Sequence, residues 1–269
     1  MNKKIGFIGA GNMAKAIIGG VINSKLISAE NLYIYGPNIE KLKVTKNEFG
    51  VQIGNSAREL AETMDVLFIA VKPNIFLDVL KDIKEYIRKD TIIVSIAAGI
   101  TIAAMEDILN KDYKIVRAMP NTPALVGEGM SSLCGNHRIT TEEISLVKEI
   151  FDSFGKSEIL PENLIHSVIG VSGSAPAYAF MMIEAMADGA VLGGMPRSKA
   201  YKFAAQALLG SAKMVLETDK HPGELKDMVC SPGGTTIEAV KSLEEDGFRA
   251  AIINAMEKCM NKSKDMDRK

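Results

Sequence analysis

The chain has 269 residues, 47% apolar and 24% charged, with a formal net charge of −1. That is room for one large domain or two ordinary ones, each able to bury a core, and it leaves no basic surplus for a nucleic-acid partner. The cysteines, Cys134, Cys230 and Cys259, are far apart and form no CxxC pair, which argues against a disulfide framework or a zinc knuckle and fits a reducing cytoplasm.

Met-Asn-Lys-Lys runs at once into a strand-and-glycine pattern, so the N-terminus reads as part of the fold. Up to about residue 160, short β-rich runs alternate with helical ones. Strands are expected at 4–8, 32–35, 66–71, 91–96 and 114–117, with a weaker one at 157–160; helices are expected at 13–23, 39–49, 75–87 and 102–109. Strands separated by helices of this length mean parallel βαβ units, and several in series mean an open doubly wound sheet.

After Pro161 the β signal stops, and 177–192, 199–217, 223–229, 236–245 and 248–261 read as helices punctuated by Pro and Gly. The expected organisation is an α/β domain over 1–160 and an all-α domain over 161–269. The Lys/Asp-rich tail after Met260 is expected to be a frayed, solvated end. The apolar stretch 175–195 is broken by Glu184, Asp188, Gly189, Gly193 and Gly194, so it reads as a buried helix rather than a membrane span. Its Ala, Gly and Met content suits core packing. Apolar faces nearly all round also suit cover by a partner subunit, so a homo-oligomer built through this half is expected.

"KIGFIGAGNMAKAI" places Gly9-Ala10-Gly11-Asn12-Met13-Ala14 between the first strand and the first helix. This is GxGxxG with Ala in third place: Gly9 permits the tight turn, Gly11 lets a pyrophosphate approach the backbone, and Ala14 keeps helix and strand close. The helix N-terminus offers its free N–H groups to the phosphates. The second strand ends in Tyr35-Gly36-Pro37-Asn38, without the carboxylate that binds the ribose of NAD. With Lys41 and Lys43 close by, NADPH is the expected cofactor, although Asn38 suits the ribose of NADH as well. Ligands of such sheets lie beyond the carboxyl ends of the strands. Two further strand ends therefore count: Val71-Lys72-Pro73, which puts a lysine at the crevice, and Ile96-Ala97-Ala98-Gly99, small residues past which a nicotinamide ring or ribose can lie. In "RAMPNTP", Pro120 and Pro123 stiffen a polar loop that either positions a ligand or is a rigid connector.

Several chemistries are absent. His137, His166 and His221 have no metal-ligand spacing and read as structural or surface residues, so no metal is expected. There is no GxSxG elbow, and Cys230 has no positive cluster to activate it as a nucleophile. Nor does the helical half carry a GxxxNxxK-type lysine, which weakens alcohol oxidation because that needs a general base. Reduction of C=N needs less: a protonated imine is already electrophilic, and donors with good positioning suffice.

A second glycine turn, "SPGGTTIEAV", begins at Ser231. Thr235-Thr236-Ile237-Glu238 fits a capping box with Thr235 as N-cap and Glu238 reaching back. Gly233 and Gly234 leave backbone N–H groups and a helix dipole facing outward, a site suited to a carboxylate, and the Ser231 and Thr236 hydroxyls add donors.

The stretch "HPGELKDMVCSPGGTTIEAV" resembles the signature of the pyrroline-5-carboxylate reductase family, and "FIGAGNMAKAI", "AVKP", "SIAAGIT", "RAMPNTP" and "SGSAPAY" match its other motifs in order over nearly the whole chain. The resemblance implies a Rossmann domain and a helical substrate-binding and dimerisation domain that interlocks with a second subunit, with a decamer of five dimers as the higher assembly. It implies NAD(P)H-dependent reduction of 1-pyrroline-5-carboxylate to L-proline in the cytoplasm, with no membrane partner. By analogy Thr236 donates to the ring nitrogen, and Ser231, Gly234 and Thr235 hold the carboxylate, with Glu162 and Lys226 nearby. Ile8, Gly9, Ala10, Gly11, Asn12, Met13, Gly36, Asn38, Asn55, Ala70, Val71, Lys72, Pro73, Ile96, Ala97 and Ala98 correspond to cofactor contacts. One departure is Ala175, where the family commonly has Gly. The alternatives are a reductase of another cyclic imino acid and a non-catalytic dinucleotide-dependent regulator, for which the second glycine turn has no use.

Overall fold

A computed structural model describes residues 3–267 of the chain. In chain order the first part runs β1 (Ile5–Ile8), α1 (Asn12–Asn23), β2 (Leu32–Tyr35), α2 (Ile39–Phe49), β3 (Gln52–Ile53), α3 (Ala57–Thr63), β4 (Val66–Ile69), α4 (Pro73–Ile83), β5 (Ile92–Ser95), α5 (Ile102–Leu109), β6 (Lys114–Met119), β7 (Gly129–Gly135), α6 (Thr141–Asp152), β8 (Gly155–Ile159) and α7 (Ile165–Val168). Five helices follow: α8 (Ala175–Leu192), α9 (Arg197–Thr218), α10 (Pro222–Val229), α11 (Thr235–Glu245) and α12 (Phe248–Asp267).

The strands form one sheet in the order β3-β2-β1-β4-β5-β6-β7-β8, parallel throughout except for the antiparallel pair β6/β7. The numbering reverses direction at β1/β4, the position where a doubly wound sheet opens a crevice. β1, β4 and β5 are buried along their whole length, as strands covered by helices on both faces must be. On one face Phe7 stacks on its register partner Phe68 with centroids 4.8 Å apart, and Phe151 from α6 and Phe154 just after it continue the aromatic row in the core shared with α1. On the other face Leu67, Ile69 and Ile93 pack against Leu60, Phe76, Leu80 and Met105 from α3, α4 and α5.

The α/β-then-all-α organisation is as expected, with several additions. β7 carries no strand signal in its sequence, because Gly-Met-Ser-Ser-Leu-Cys-Gly has neither alternation nor β-branched residues; tertiary burial makes it a strand. The helices α3 and α6 do carry start signals, Ser56 accepting from Glu59 N and a full Thr140/Glu143 capping box.

Contacts divide the chain into two compact units, residues through Gly173 together with Met260 onward, and Ser174–Cys259. The expected boundary at 160/161 thus falls earlier than the contact boundary, because α7 and the π turn Ile169–Gly173 that follows it pack with the sheet unit. The frayed tail is a correction: α12 continues to Asp267, Ser263 is buried, and the last turns belong to the sheet unit. A second correction concerns α8. Within the single chain only Ala187 of this helix is buried, while Phe180, Met181 and Leu192 are 63%, 69% and 92% exposed. Among the described residues, the helical run Glu162–Leu192 is long and apolar enough to cross a membrane by length and composition. Ala175 is the first residue of α8, ordinary helix geometry in which a methyl group causes no strain.

Candidate functional site

The sheet register gathers most of the expected cofactor residues along one edge. Ile8 pairs with Tyr35 on one side and Ile69 on the other, and Ile69 pairs with Ser95. Gly9 through Met13, Gly36, Asn38, Ala70 through Pro73, and Ile96 through Ala98 therefore all leave the sheet at the same level. Asn55 follows β3 at this edge, its N–H donating to Glu59 Oε2 at 2.6 Å.

Gly9 has φ +109°, and its N–H donates to Tyr35 O at 2.7 Å. A Cβ there would lie 2.4 Å from the carbonyl oxygen of Ala70, so the turn threads between two strand ends where only glycine fits. Gly11 differs. It is the N-cap of α1 with no side chain capping the helix, and a Cβ on it would meet nothing within 4 Å. Gly11 opens onto a cleft of about 340 Å³ whose lining includes Asn12, Lys15, Asn38, Glu40 and Lys41. Open N–H groups, a helix N-terminus and lysines around a cleft with no side chain over Gly11 fit the diphosphate and ribose end of a dinucleotide.

The charges of the cleft lean towards a phosphorylated ribose. Glu40 is paired with Lys43 at 3.1 Å and Lys15 with Glu48 at 3.2 Å, while Lys41 has no acidic partner among the described residues. Asn38 caps α2 by accepting from Lys41 N at 3.0 Å. Lys41→Ala is expected to cut kcat/KM with NADPH by about tenfold, the scale of one exposed charge on a phosphate, and to leave NADH almost unchanged. Parallel titrations with the two cofactors check this.

Lys72 is the exposed N-cap of α4, with Pro73 in its first turn. The PNTP loop is braced rather than open. Asn121 is 8% exposed, donates to Ser172 O at 3.0 Å and accepts from Met130 N at 2.8 Å. Glu162, expected beside the substrate, has Oε1 shared between Arg117 at 2.8 Å and the N–H of Ile102 at 2.9 Å. Arg117 is not among the residues the motifs point to, although an arginine inside the apolar strand Ile115-Val116-Arg117-Ala118-Met119 is itself a signal. Burial pushes the neighbouring Cys134 thiol up, and the charge of Glu162 pushes it the same way.

In the helical unit the second glycine turn is folded tightly. Gly234 N–H donates to Ser231 O at 3.0 Å, with Pro232 second and Gly233 at φ +67° third, the pattern of a type II turn. A Cβ on Gly234 would sit 2.5 Å from Ser231 Oγ, so the serine hydroxyl folds over this glycine. Gly233 is there for its left-handed backbone, and Gly234, with an ordinary φ of −83°, for the room it leaves the serine hydroxyl. The capping box is corrected: the N-cap of α11 is Gly234, no side chain accepts there, and Thr235 and Thr236 are the first two helical residues. Neither hydroxyl is used to cap the helix. Lys226 on α10 pairs with Asp227 at 2.6 Å, and that hydrogen bond holds the ammonium above its usual range.

The histidines are engaged locally. His221 accepts from Gly223 N, His166 meets Ser263 Oγ at 2.9 Å, and His137 lies 3.7 Å from Glu106. Among the described residues, no group of three or more His, Cys, Asp or Glu side chains is placed to hold a metal ion.

Residues 162–266 match a family model described as pyrroline-5-carboxylate reductase dimerisation, and residues 4–99 match one described as NADP oxidoreductase coenzyme F420-dependent. The pyrroline-5-carboxylate reductase of Escherichia coli K12 is 57% identical over 268 residues, covering 100% of both chains. Among solved structures, a pyrroline-5-carboxylate reductase from Coxiella burnetii superposes with a TM-score of 0.94 at 33% identity, covering 99% of each chain. Pyrroline carboxylate reductase from Plasmodium falciparum with NADP bound superposes with a TM-score of 0.88 at 36% identity, covering 99% of this chain and 98% of that one. With this identity over its full length, and both glycine turns in place, the chain belongs to the pyrroline-5-carboxylate reductase family, whose members use NAD(P)H to reduce 1-pyrroline-5-carboxylate to L-proline.

Proposed function

We propose that the two glycine turns divide the ligands of this reduction: Gly9 to Met13 take the cofactor pyrophosphate, and Ser231, Gly234 and Thr235 take the substrate carboxylate. The carrying observation is the first turn of α11. Its cap is a glycine and no side chain satisfies its leading N–H groups, so donors and the positive helix end are left for an anion. The Ser231 hydroxyl, folded over Gly234, adds a donor at the same point, and Lys226 adds positive charge beside Cys230.

Thr236 donates a hydrogen bond to the lone pair that develops on the pyrroline nitrogen as hydride reaches the neighbouring carbon, and so fixes which face of the ring meets the donor. NADPH, when bound, supplies the hydride that adds to the C=N carbon. With the ring nitrogen already protonated, hydride addition neutralises the iminium and yields the secondary amine, so the chain needs to orient and exclude water rather than abstract a proton.

Removing the substrate's carboxylate tests this. With 1-pyrroline in place of pyrroline-5-carboxylate, kcat/KM is expected to fall by at least about a hundredfold, as for loss of a charge-assisted hydrogen-bond set. Equal rates on the two imines would remove the carboxylate site.

The helical domain over 161–269 is assigned to dimerisation on the same grounds. Tyr178, Met181, Met182, Met186, Leu243 and Phe248 line an apolar cleft of about 790 Å³ in the helical unit. Apolar side chains gathered this way, with Met181 69% and Met186 42% exposed in the single chain, mark an interface, and the dimerisation model spans them. A homodimer, assembling further into a decamer of five dimers and working in the cytoplasm without membrane or nucleic-acid partners, completes the reading.

A further inference from the structure

Arg117 is 3% exposed on β6, level with Ser95, the last residue of β5. A guanidinium withdrawn from water needs carboxylates, and it has two, from distant parts of the chain. Nη1 donates to Glu162 Oε1 at 2.8 Å, and Nη2 donates to Asp267 Oδ1 at 3.3 Å from the last turn of α12. Glu162 in turn accepts the N–H of Ile102, the first residue of α5. From the same turn of α12, Met266 lies over Gly99, where an added Cβ would come 3.6 Å from the methionine Cβ. His166 seats this helix end from the side, through Ser263 Oγ at 2.9 Å and with Nε2 3.7 Å from Asp267 Oδ2.

The segment 96–102 is thus held at both ends and in the middle. Ser95 anchors its start in the sheet, Glu162 holds Ile102 at its end, and Met266 covers Gly99 between them. Apolar residues of similar volume often stabilise a fold as well as a buried ion cluster does, so the cluster's distinctive contribution is fixed geometry.

We propose that Arg117 and Asp267 are positioning residues for the nicotinamide half of the cofactor, holding 96–102 in place through Glu162 and Met266. This rests on the assignment of Ile96, Ala97 and Ala98 as cofactor contacts. It also gives the last turn of α12 a role in the reaction without contact to substrate or cofactor.

Calorimetric titration of the full chain with NADPH and with adenosine 2′,5′-bisphosphate, which lacks the nicotinamide half, separates this from a structural role. Asp267→Asn is expected to bind NADPH about tenfold more weakly, bind the bisphosphate as the unmodified chain does, and recover NADPH affinity as Asp267→Glu. Equal NADPH affinity in Asp267→Asn and the unmodified chain overturns the proposal, as does an equal loss for both ligands. Should Asp267→Asn fail to fold, Met266→Ala, which keeps every charge, is expected to show the same selective loss on a smaller scale, and an unchanged NADPH affinity there is equally fatal. Failure of the unmodified chain to bind NADPH at all would instead strike at the cofactor assignment.

Discussion

Thr236→Ala will lower kcat/KM for pyrroline-5-carboxylate by at least about tenfold, and Thr236→Ser will restore most of it, because the loss is that of one hydrogen-bond donor to the nitrogen lone pair that forms as hydride adds. The structure makes this change unusually clean. Thr236 is the second residue of α11 and its hydroxyl does not cap the helix, since the cap is Gly234. Alanine is the better helix former, so the fold should be as stable or slightly more so. A melting temperature that holds while turnover falls assigns the effect to the site. Full activity in Thr236→Ala would remove the residue from the mechanism.

The second large effect separates the two glycines of the first turn. Gly9→Ala forces a side chain into φ +109° with its Cβ 2.4 Å from the Ala70 carbonyl oxygen. A clash with backbone at a special conformation is expected to cost about 2–4 kcal/mol of stability, which lowers Tm by on the order of 5–15 °C in a chain of this size. Gly11→Ala meets nothing within 4 Å and sits at φ −80°, so it should melt like the unmodified chain. Its methyl group would occupy the approach of the pyrophosphate, and NADPH affinity is expected to fall by more than about tenfold. Thermal melts with NADPH titrations check both, and a Gly11→Ala chain that binds normally would contradict the cradle.

What could be read from the sequence depended on whether local pattern and tertiary environment agreed. At β2 and α5 they do: Leu-Tyr-Ile-Tyr alternates in burial, and Thr101 caps α5 by accepting from Ala104 N, so both elements fall within their expected bounds. At β7 they do not, because Ser131 and Ser132 are buried in a central strand that no propensity favours. The tail misled because Lys and Asp near a chain end suggest solvent, whereas Asp267 is held by a buried arginine 150 positions away. Only the folded chain brings those two together.

At the site, motifs located both glycine turns but not their local geometry. Placing the cap of α11 one residue late would have spent the hydroxyl of Thr235 on the backbone; with Gly234 as the cap, Thr235 and Thr236 both lie inside the helix. Arg117 stood in view as a charge inside an apolar strand, yet its two acidic partners lie 45 and 150 positions away, beyond any periodicity. The exposed apolar face of α8 was legible as an excess of apolar surface, and the single chain leaves it uncovered.

The central claim is that the two helix-end sites serve two ligands in one hydride transfer, and steady-state turnover of pyrroline-5-carboxylate with NADPH and with NADH tests it most directly. The expected result is oxidation of NADPH matched by formation of proline, with a higher kcat/KM for NADPH than for NADH. Binding of NADPH without turnover of pyrroline-5-carboxylate, or a higher kcat/KM on the six-membered cyclic imino acid, would contradict it.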